Sequence, residues 1–158
     1  MLNYMKITIP AKSKNEALAR GIVGAFAIEL PFTLEDINDI KTAVSEAVTN
    51  CIVHGYNMDE NNEIDIECSL FDDYLEVKIV DNGCGIQNIN EAMQPFYTTK
   101  PNDERSGMGF TIMSTFMDNL TVSSNVGKGT EIIFTKSPKN VWPRIYFRTN
   151  PKSTTRWR

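Results

Sequence analysis

The chain has 158 residues, 41% hydrophobic and 23% charged, an ordinary globular composition long enough for one domain that buries roughly two thirds of its unfolded surface. No run approaches the ~18 apolar residues of a membrane span, MLNYMKITIP has no signal-peptide core, and three cysteines without a CxxC pair argue against structural disulfides, so a cytoplasmic protein with no membrane association is expected. The net charge of −4 hides a division: all 20 acidic residues and nine of the 16 basic ones precede Lys136, leaving an acidic body unsuited to direct DNA binding and a basic end.

Met5 to Ile9 reads as a strand ended by Pro10. Asn15 to Leu30 carries Ala17, Leu18, Ile22, Val23, Phe26 and Ala27 at helical spacing before Pro31, with Arg20 on its polar edge. Thr33 and Asp36 resemble a capping box that starts a second helix ending at Gly55. On that helix Ile37, Ile40, Val44, Val48 and Cys51 form the apolar face, and Asp39, Glu46 and Asn50 gather nearly opposite.

From Ile64 the period becomes two. Ile64 to Leu70 and Leu75 to Ile79 form a hairpin with one covered face. Residues 87–106 hold a short helical piece, Asn90 to Met93, and read as a mobile cover over a site. Gly107 to Met117 is helical again, and Leu120 to Ser124 and Thr130 to Thr135 are strands around a Gly-Lys-Gly turn. The order β-α-α-β-β-α-β-β predicts an α/β protein of the α+β kind, a two-layer sandwich with helices on one face of a mixed, mostly antiparallel sheet. The domain spans 1–136. Residues 137–158, where Arg alternates with Trp, Tyr and Phe, have no packing period and are expected to be a disordered tail, although the pattern also suits a polyanion.

Four pieces of this chain carry chemistry. Glu46 and Asn50 stand one helical turn apart, so a proton acceptor and an oxygen ligand for a hard cation share one space; alone, the pair also fits a solvated helix face. Asp81-x-Gly83-x-Gly85 follows an apolar strand directly: an Asp there accepts from an exocyclic amine and the glycines make room for a planar base, or the stretch is a plain turn. Ser106-Gly107-Met108-Gly109 opens a helix with free N–H groups suited to a di- or triphosphate, or is an ordinary helix start. Thr130 closes a hairpin and brings a hydroxyl to Asp81 if the last strands lie beside the first hairpin. His54 is the sole histidine, and no Cys/His cluster offers zinc ligands.

In this order, on these element types, the motifs of residues 5–135 resemble the GHKL superfamily, which includes gyrase, histidine kinases and MutL. The resemblance implies ATP as ligand, Mg²⁺ on Asn50, adenine recognition by Asp81, a pocket and lid shaped by Gly83, Gly85, Gly107 and Gly109, and Thr130 supporting the adenine contact through water. Thr98, Thr99, Lys100, Ser106 and Met108 count among the implied nucleotide-binding residues. IKTAVSEAVTNCIVHGY (40–56) and QPFYTTKPNDERSGMGFTIM (94–113) are similar to the anti-sigma-F serine kinases of spore-forming bacteria. Their likeness implies a dimeric protein that blocks a sigma factor of RNA polymerase and phosphorylates a serine of an anti-anti-sigma protein. Glu46 would be the general base and Arg20 a contact to protein partners. Charge neutralisation in phosphoryl transfer suggests Arg105 as a γ-phosphate contact, while a salt bridge with Asp103 or Glu104 fits it equally. Two rival activities are an ATP hydrolase, which would want a further transducer domain, and a module that binds nucleotide only to shape a partner surface.

Overall fold

The computed structural model describes residues 1–95 and 107–139. Five strands, β1 (Asn3–Pro10), β2 (Glu63–Leu70), β3 (Leu75–Asp81), β4 (Asn119–Asn125) and β5 (Gly129–Lys136), form one sheet in the order β1-β2-β3-β5-β4. The helices are α1 (Asn15–Ala27), α2 (Leu34–Asn50), the short α3 (Ile89–Ala92) and α4 (Gly109–Phe116). A sequence-based expectation of a mixed sheet needs correction, because all four pairings are antiparallel. The connection from β3 through helices does return β4 in the direction of β3. Yet β5 inserts between them, so no parallel neighbours result.

Alternation decides which face is covered. Ile64, Ile66, Cys68 and Leu70 of β2, Leu75, Val77 and Ile79 of β3, and Ile132 and Phe134 of β5 are at most 1% exposed, and they pack beneath Val23 of α1, Ile40, Val44 and Val48 of α2 and Met113 of α4. Each such aliphatic side chain removed from water contributes roughly 1.5–3 kcal/mol before entropy is counted. The other face is polar: Glu67 accepts from Lys6 at 3.0 Å and from Lys78 at 2.7 Å, bridging three strands. Such exposed pairs set register more than stability.

α2 begins as its sequence requires. Asp36 N–H donates to Thr33 Oγ1 at 3.1 Å and Thr33 N–H to Asp36 Oδ2 at 3.1 Å, a reciprocal cap worth about 1 kcal/mol. α1 stops at Ala27, three residues before the expected Leu30, because the backbone tightens: Glu29 and Leu30 donate to the carbonyls of Phe26 and Ala27 before Pro31. α4 starts at Gly109 instead of Gly107, since Gly107 lies at φ +63°, outside the helical region.

The same alternation leaves a polar residue at each end of the covered face. Asp81, the last position of β3, pairs with Thr130 of β5 at one end, and Lys136 closes β5 at the other. They are 3%, 8% and 3% exposed. Lys136, grouped from the sequence with the basic end of the chain, is a buried cation: its Nζ donates to Asp39 Oδ2 at 2.9 Å and to the Phe116 carbonyl at 2.5 Å, and lies 3.9 Å from Asp36 Oδ1. It therefore ties the start of α2, the end of α4 and the end of β5. Of the expected tail, Ser137 to Lys139 are described. Ser137 N–H donates to Asp118 Oδ2 at 2.7 Å, and Lys139 Nζ reaches Asp36 Oδ1 at 3.8 Å. Residues 140–158 lie outside the described residues.

Candidate nucleotide site

The site forms where α2 runs out above the end of β3. Past Asn50 the helix widens into a single π turn over Cys51–Gly55, closed by Tyr56 N–H to the Cys51 carbonyl at 2.8 Å. Such turns re-aim side chains and recur at functional sites. Tyr56 then acts as a clamp, its hydroxyl donating to the Glu63 carbonyl at 2.6 Å and accepting from Asn82 N–H at 2.7 Å. Two glycines permit the approach. A Cβ on Gly83 would stand 2.2 Å from the Gly55 carbonyl oxygen, and one on Gly55 would stand 2.9 Å from Asp81 Oδ1.

Asp81 ends the covered row of β3, so its carboxylate points inward under the helix end. Burial pushes its carboxyl above the usual range, and hydrogen bonds from Gly83 N–H, the Cys51 thiol and Thr130 N–H pull the other way. The Gly83 N–H bond to Oδ1 measures 2.8 Å. Burial, then the Asp81 charge, raise the Cys51 thiol well above its ordinary value.

A cavity of about 330 Å³ opens over Asp81, within the range of small-ligand pockets. Its wall includes Asn50, Asp81, Gly85, Gly107, Gly109 and Thr130, which sequence reasoning singled out from four separate segments. Glu46 and Asn50 meet at the start of α4: a Cβ on Gly109 would stand 3.1 Å from Glu46 Oε2 and 3.3 Å from both amide atoms of Asn50. Thr130 lies directly across from Asp81, and its hydroxyl is 2.9 Å from Ser124 Oγ. Gly83 and Met108 are not on the wall; Gly83 presses on Gly55, and Met108 is the residue before α4.

His54 is also on the wall, and sequence reasoning did not single out its other parts, namely Asn57, Cys84, Ile86, Gln87, Asn88, Ala92, Phe110 and Ile132. Phe110 and Ile132 belong to apolar rows that look like core from sequence, so only their position at the row ends marks them. Gln87, Asn88 and Ala92 come from the segment expected to cover the site. Thr98, Thr99, Lys100, Arg105 and Ser106 lie outside the described residues.

Glu46 itself is not on that wall; it lines a second groove of about 400 Å³, between α1 and α2, with Arg20, Asn38, Lys41, Thr42 and Ser45. Arg20 is held near Glu16, Nε to Oε1 at 3.6 Å, and Ser45 Oγ donates to the same Glu16 carboxylate. Glu46 thus lines the groove and touches the cavity only through the wall residue Gly109, and Arg20 belongs to the groove alone.

Among the described residues no three His, Cys, Asp or Glu side chains group as a metal cage. The one amide oxygen of Asn50 on the cavity wall suits Mg²⁺, which commonly takes one or two protein oxygens and completes its shell with phosphate and water.

Helices over one face of an antiparallel sheet, with a cavity roofed by a helix end above a buried strand-end carboxylate, define a nucleotide-binding domain of the histidine kinase-like ATPase type. Residues 9–136 match the family model described as histidine kinase-like ATPase domain. Among curated relatives, the anti-sigma F factor of Clostridium perfringens (strain SM101) is 54% identical over 136 residues, 86% of this chain and 97% of that protein. The anti-sigma F factor of Clostridium novyi (strain NT) is 48% identical over 139 residues, 88% and 97% of the two chains. Among solved structures, the RsbU and RsbW domains of Rv1364c from Mycobacterium tuberculosis align with TM-score 0.62 at 20% identity, covering 85% of this chain and 32% of that one. The mycobacterial sensor histidine kinase MprB aligns at 0.55 and 16%, covering 87% and 100%. At those identities the structural likeness is one of fold. The chain belongs to the histidine kinase-like ATPase family and, within it, to the anti-sigma F factors.

Proposed function

We propose that this protein is an anti-sigma factor that binds a sporulation sigma factor of RNA polymerase in the cytoplasm, and that it uses Mg-ATP to phosphorylate a serine of an anti-anti-sigma protein. The carrying observation is the position of Glu46, which lines the Arg20–Lys41 groove while its carboxylate lies against Gly109, a residue of the nucleotide cavity's wall. A base between a phosphoryl donor and a protein surface serves transfer to a partner's hydroxyl.

In this reading residues 1–136 form the kinase domain. Asp81 accepts a hydrogen bond from the adenine amino group, with Thr130 beside it. Asn50 would hold Mg²⁺, which when bound neutralises phosphate charge. The Gly107-Met108-Gly109 turn presents backbone N–H groups to the phosphates, Gly85 leaves room for the base, and Arg105, with Ser106 and Thr98-Thr99-Lys100, serves the phosphate end. The partner's segment lies along the groove, guided by Arg20. Its serine proton passes to a Glu46 carboxylate oxygen as the hydroxyl attacks the γ-phosphorus, and the bond from that phosphorus to the bridging oxygen breaks, leaving ADP.

The relatives' name, anti-sigma F factor, supports the sigma-factor partner. The open edge of β1 suits a homodimer, which sedimentation at micromolar concentration tests. Transfer is tested by incubating the protein with γ-labelled ATP and the co-purified antagonist. Phosphoserine on the antagonist is the expected result, and nucleotide binding without label transfer would leave a binding module instead.

A further inference from the structure

We propose that Ser124, which is not itself on the cavity wall, is a positioning residue for base selection: it takes the Thr130 hydroxyl proton, so that Thr130 meets the ligand as an acceptor beside the acceptor Asp81. The inference rests on the reading of Asp81 as the base contact.

Alternation along β4 turns Ser123 outward and leaves Ser124 half-buried on the covered side, directly across from Thr130. Its hydroxyl meets three groups: Ile86 N–H at 2.8 Å, the Gly129 carbonyl at 2.9 Å and Thr130 Oγ1 at 2.9 Å. A hydroxyl has one hydrogen and two lone pairs. A carbonyl only accepts, so the Ser124 hydrogen goes to Gly129. An N–H only donates, so Ile86 fills one lone pair. The second lone pair is left for Thr130, which is therefore the donor of their contact.

Thr130 uses its only hydroxyl hydrogen on Ser124 and leaves its oxygen lone pairs for the cavity that it lines. It stands opposite Asp81, whose ionised carboxylate also only accepts. These neighbouring side chains thus offer the cavity acceptors and no donor. A 6-amino purine brings two N–H bonds to that end, taken directly or through a bridging water. A 6-oxo purine brings an oxygen against both. Ser124 also holds the Ile86 backbone, and Gly127 N–H, donating to the Cys84 carbonyl at 2.7 Å, ties the same loop to the β4–β5 turn. The loop after Asp81 and the Thr130 hydroxyl therefore share one anchor.

The test is the ratio of affinities for Mg-ATP and Mg-inosine triphosphate, measured by calorimetry on the full chain. In Ser124→Ala the Thr130 hydrogen is released to the cavity, where it can donate to a 6-oxo group, so the ratio should narrow by about fivefold, the size of one neutral hydrogen bond. Ser124→Thr keeps the hydroxyl and should hold the ratio to within about twofold. Thr130→Val removes the acceptor itself and should also narrow the ratio. Adding Ser124→Ala to Thr130→Val should then change the ratio no further, because the proton that Ser124 takes is already gone. Equal weakening of both nucleotides in Ser124→Ala, a Ser124→Thr ratio as narrow as that of Ser124→Ala, an unchanged ratio in Thr130→Val, or changes that add in the double variant would each overturn the proposal and leave Ser124 as a loop anchor. Asp81→Ala separates the two levels: undiminished ATP affinity there overturns the base contact itself, whereas lost affinity there with an unchanged ratio in Ser124→Ala overturns only the role of Ser124.

Discussion

Gly109 begins α4 so close to Glu46 that a methyl group at its Cα would lie 3.1 Å from the Glu46 carboxylate. The same methyl would meet the Asn50 amide at 3.3 Å. Both contacts are with the ends of flexible side chains, so Gly109→Ala should fold, helped by the better helix propensity of Ala, by up to ~1 kcal/mol. Its effect falls on chemistry. Displacing two polar groups by a few tenths of an ångström should lower phosphoryl transfer about tenfold or more, as misplacement of reacting groups does. Thermal unfolding beside a transfer assay checks this, and a variant with unchanged transfer would remove Glu46 and Asn50 from the reaction.

Lys136 holds three elements through one ammonium group. Lys136→Met leaves Asp39 and the Phe116 carbonyl without their cation and Asp36 with Lys139 alone, a loss of about 3 kcal/mol or more for a broken buried pair. The melting temperature should fall by roughly 10 °C in a domain of this size. Differential scanning calorimetry reads it.

Asp36 gives that stability a pH limit. Burial by itself would raise its carboxyl, but the Thr33 hydrogen bonds and the charges of Lys136 and Lys139 outweigh it and hold the group below its ordinary 3.8. A folded-state value below the unfolded one contributes stability that is complete above about pH 4 and is lost as pH falls through the lowered value. Asp36→Asn should therefore be less stable than the unaltered protein at pH 7, by about 1–2 kcal/mol. The gap should close on acidification, in urea titrations between pH 7 and pH 3.

Gly129 and Gly127 share one turn and differ in surroundings. Both have positive φ, at +93° and +74°. A Cβ on Gly129 would stand 1.9 Å from the Asp81 carbonyl oxygen, while one on Gly127 meets nothing within 4 Å. Gly127→Ala should cost about 1 kcal/mol of backbone strain, and Gly129→Ala well over 2 kcal/mol, with loss of the Asp81–Thr130 pairing. Urea titration of the pair checks the order.

Much of this was legible because periodicity and packing coincide. The even spacing in Ile64 to Leu70 and Leu75 to Ile79 put the covered face where it lies, and continuing it two residues reached Asp81. The helix from Thr33 showed its apolar stripe and its Glu46–Asn50 edge for the same reason. Lys136 escaped because its charge suggested the basic end, although parity from Thr130 through Ile132 and Phe134 already pointed it inward. The sheet order could not be read, since nothing local says that β5 inserts between β3 and β4. Nor does spacing reveal the π turn at Cys51, which ends where Gly55 meets Gly83 across the fold, or the second groove, which needs two helices side by side.

The central claim is that one cavity binds nucleotide through Asp81 and that Glu46 acts only afterwards, on the proton of a partner's serine. Calorimetric titration of Mg-ATP into the unaltered chain, Asp81→Ala and Glu46→Gln tests it most directly. The account predicts no binding to Asp81→Ala and near-normal binding to Glu46→Gln. Equal loss of affinity in both variants would contradict it.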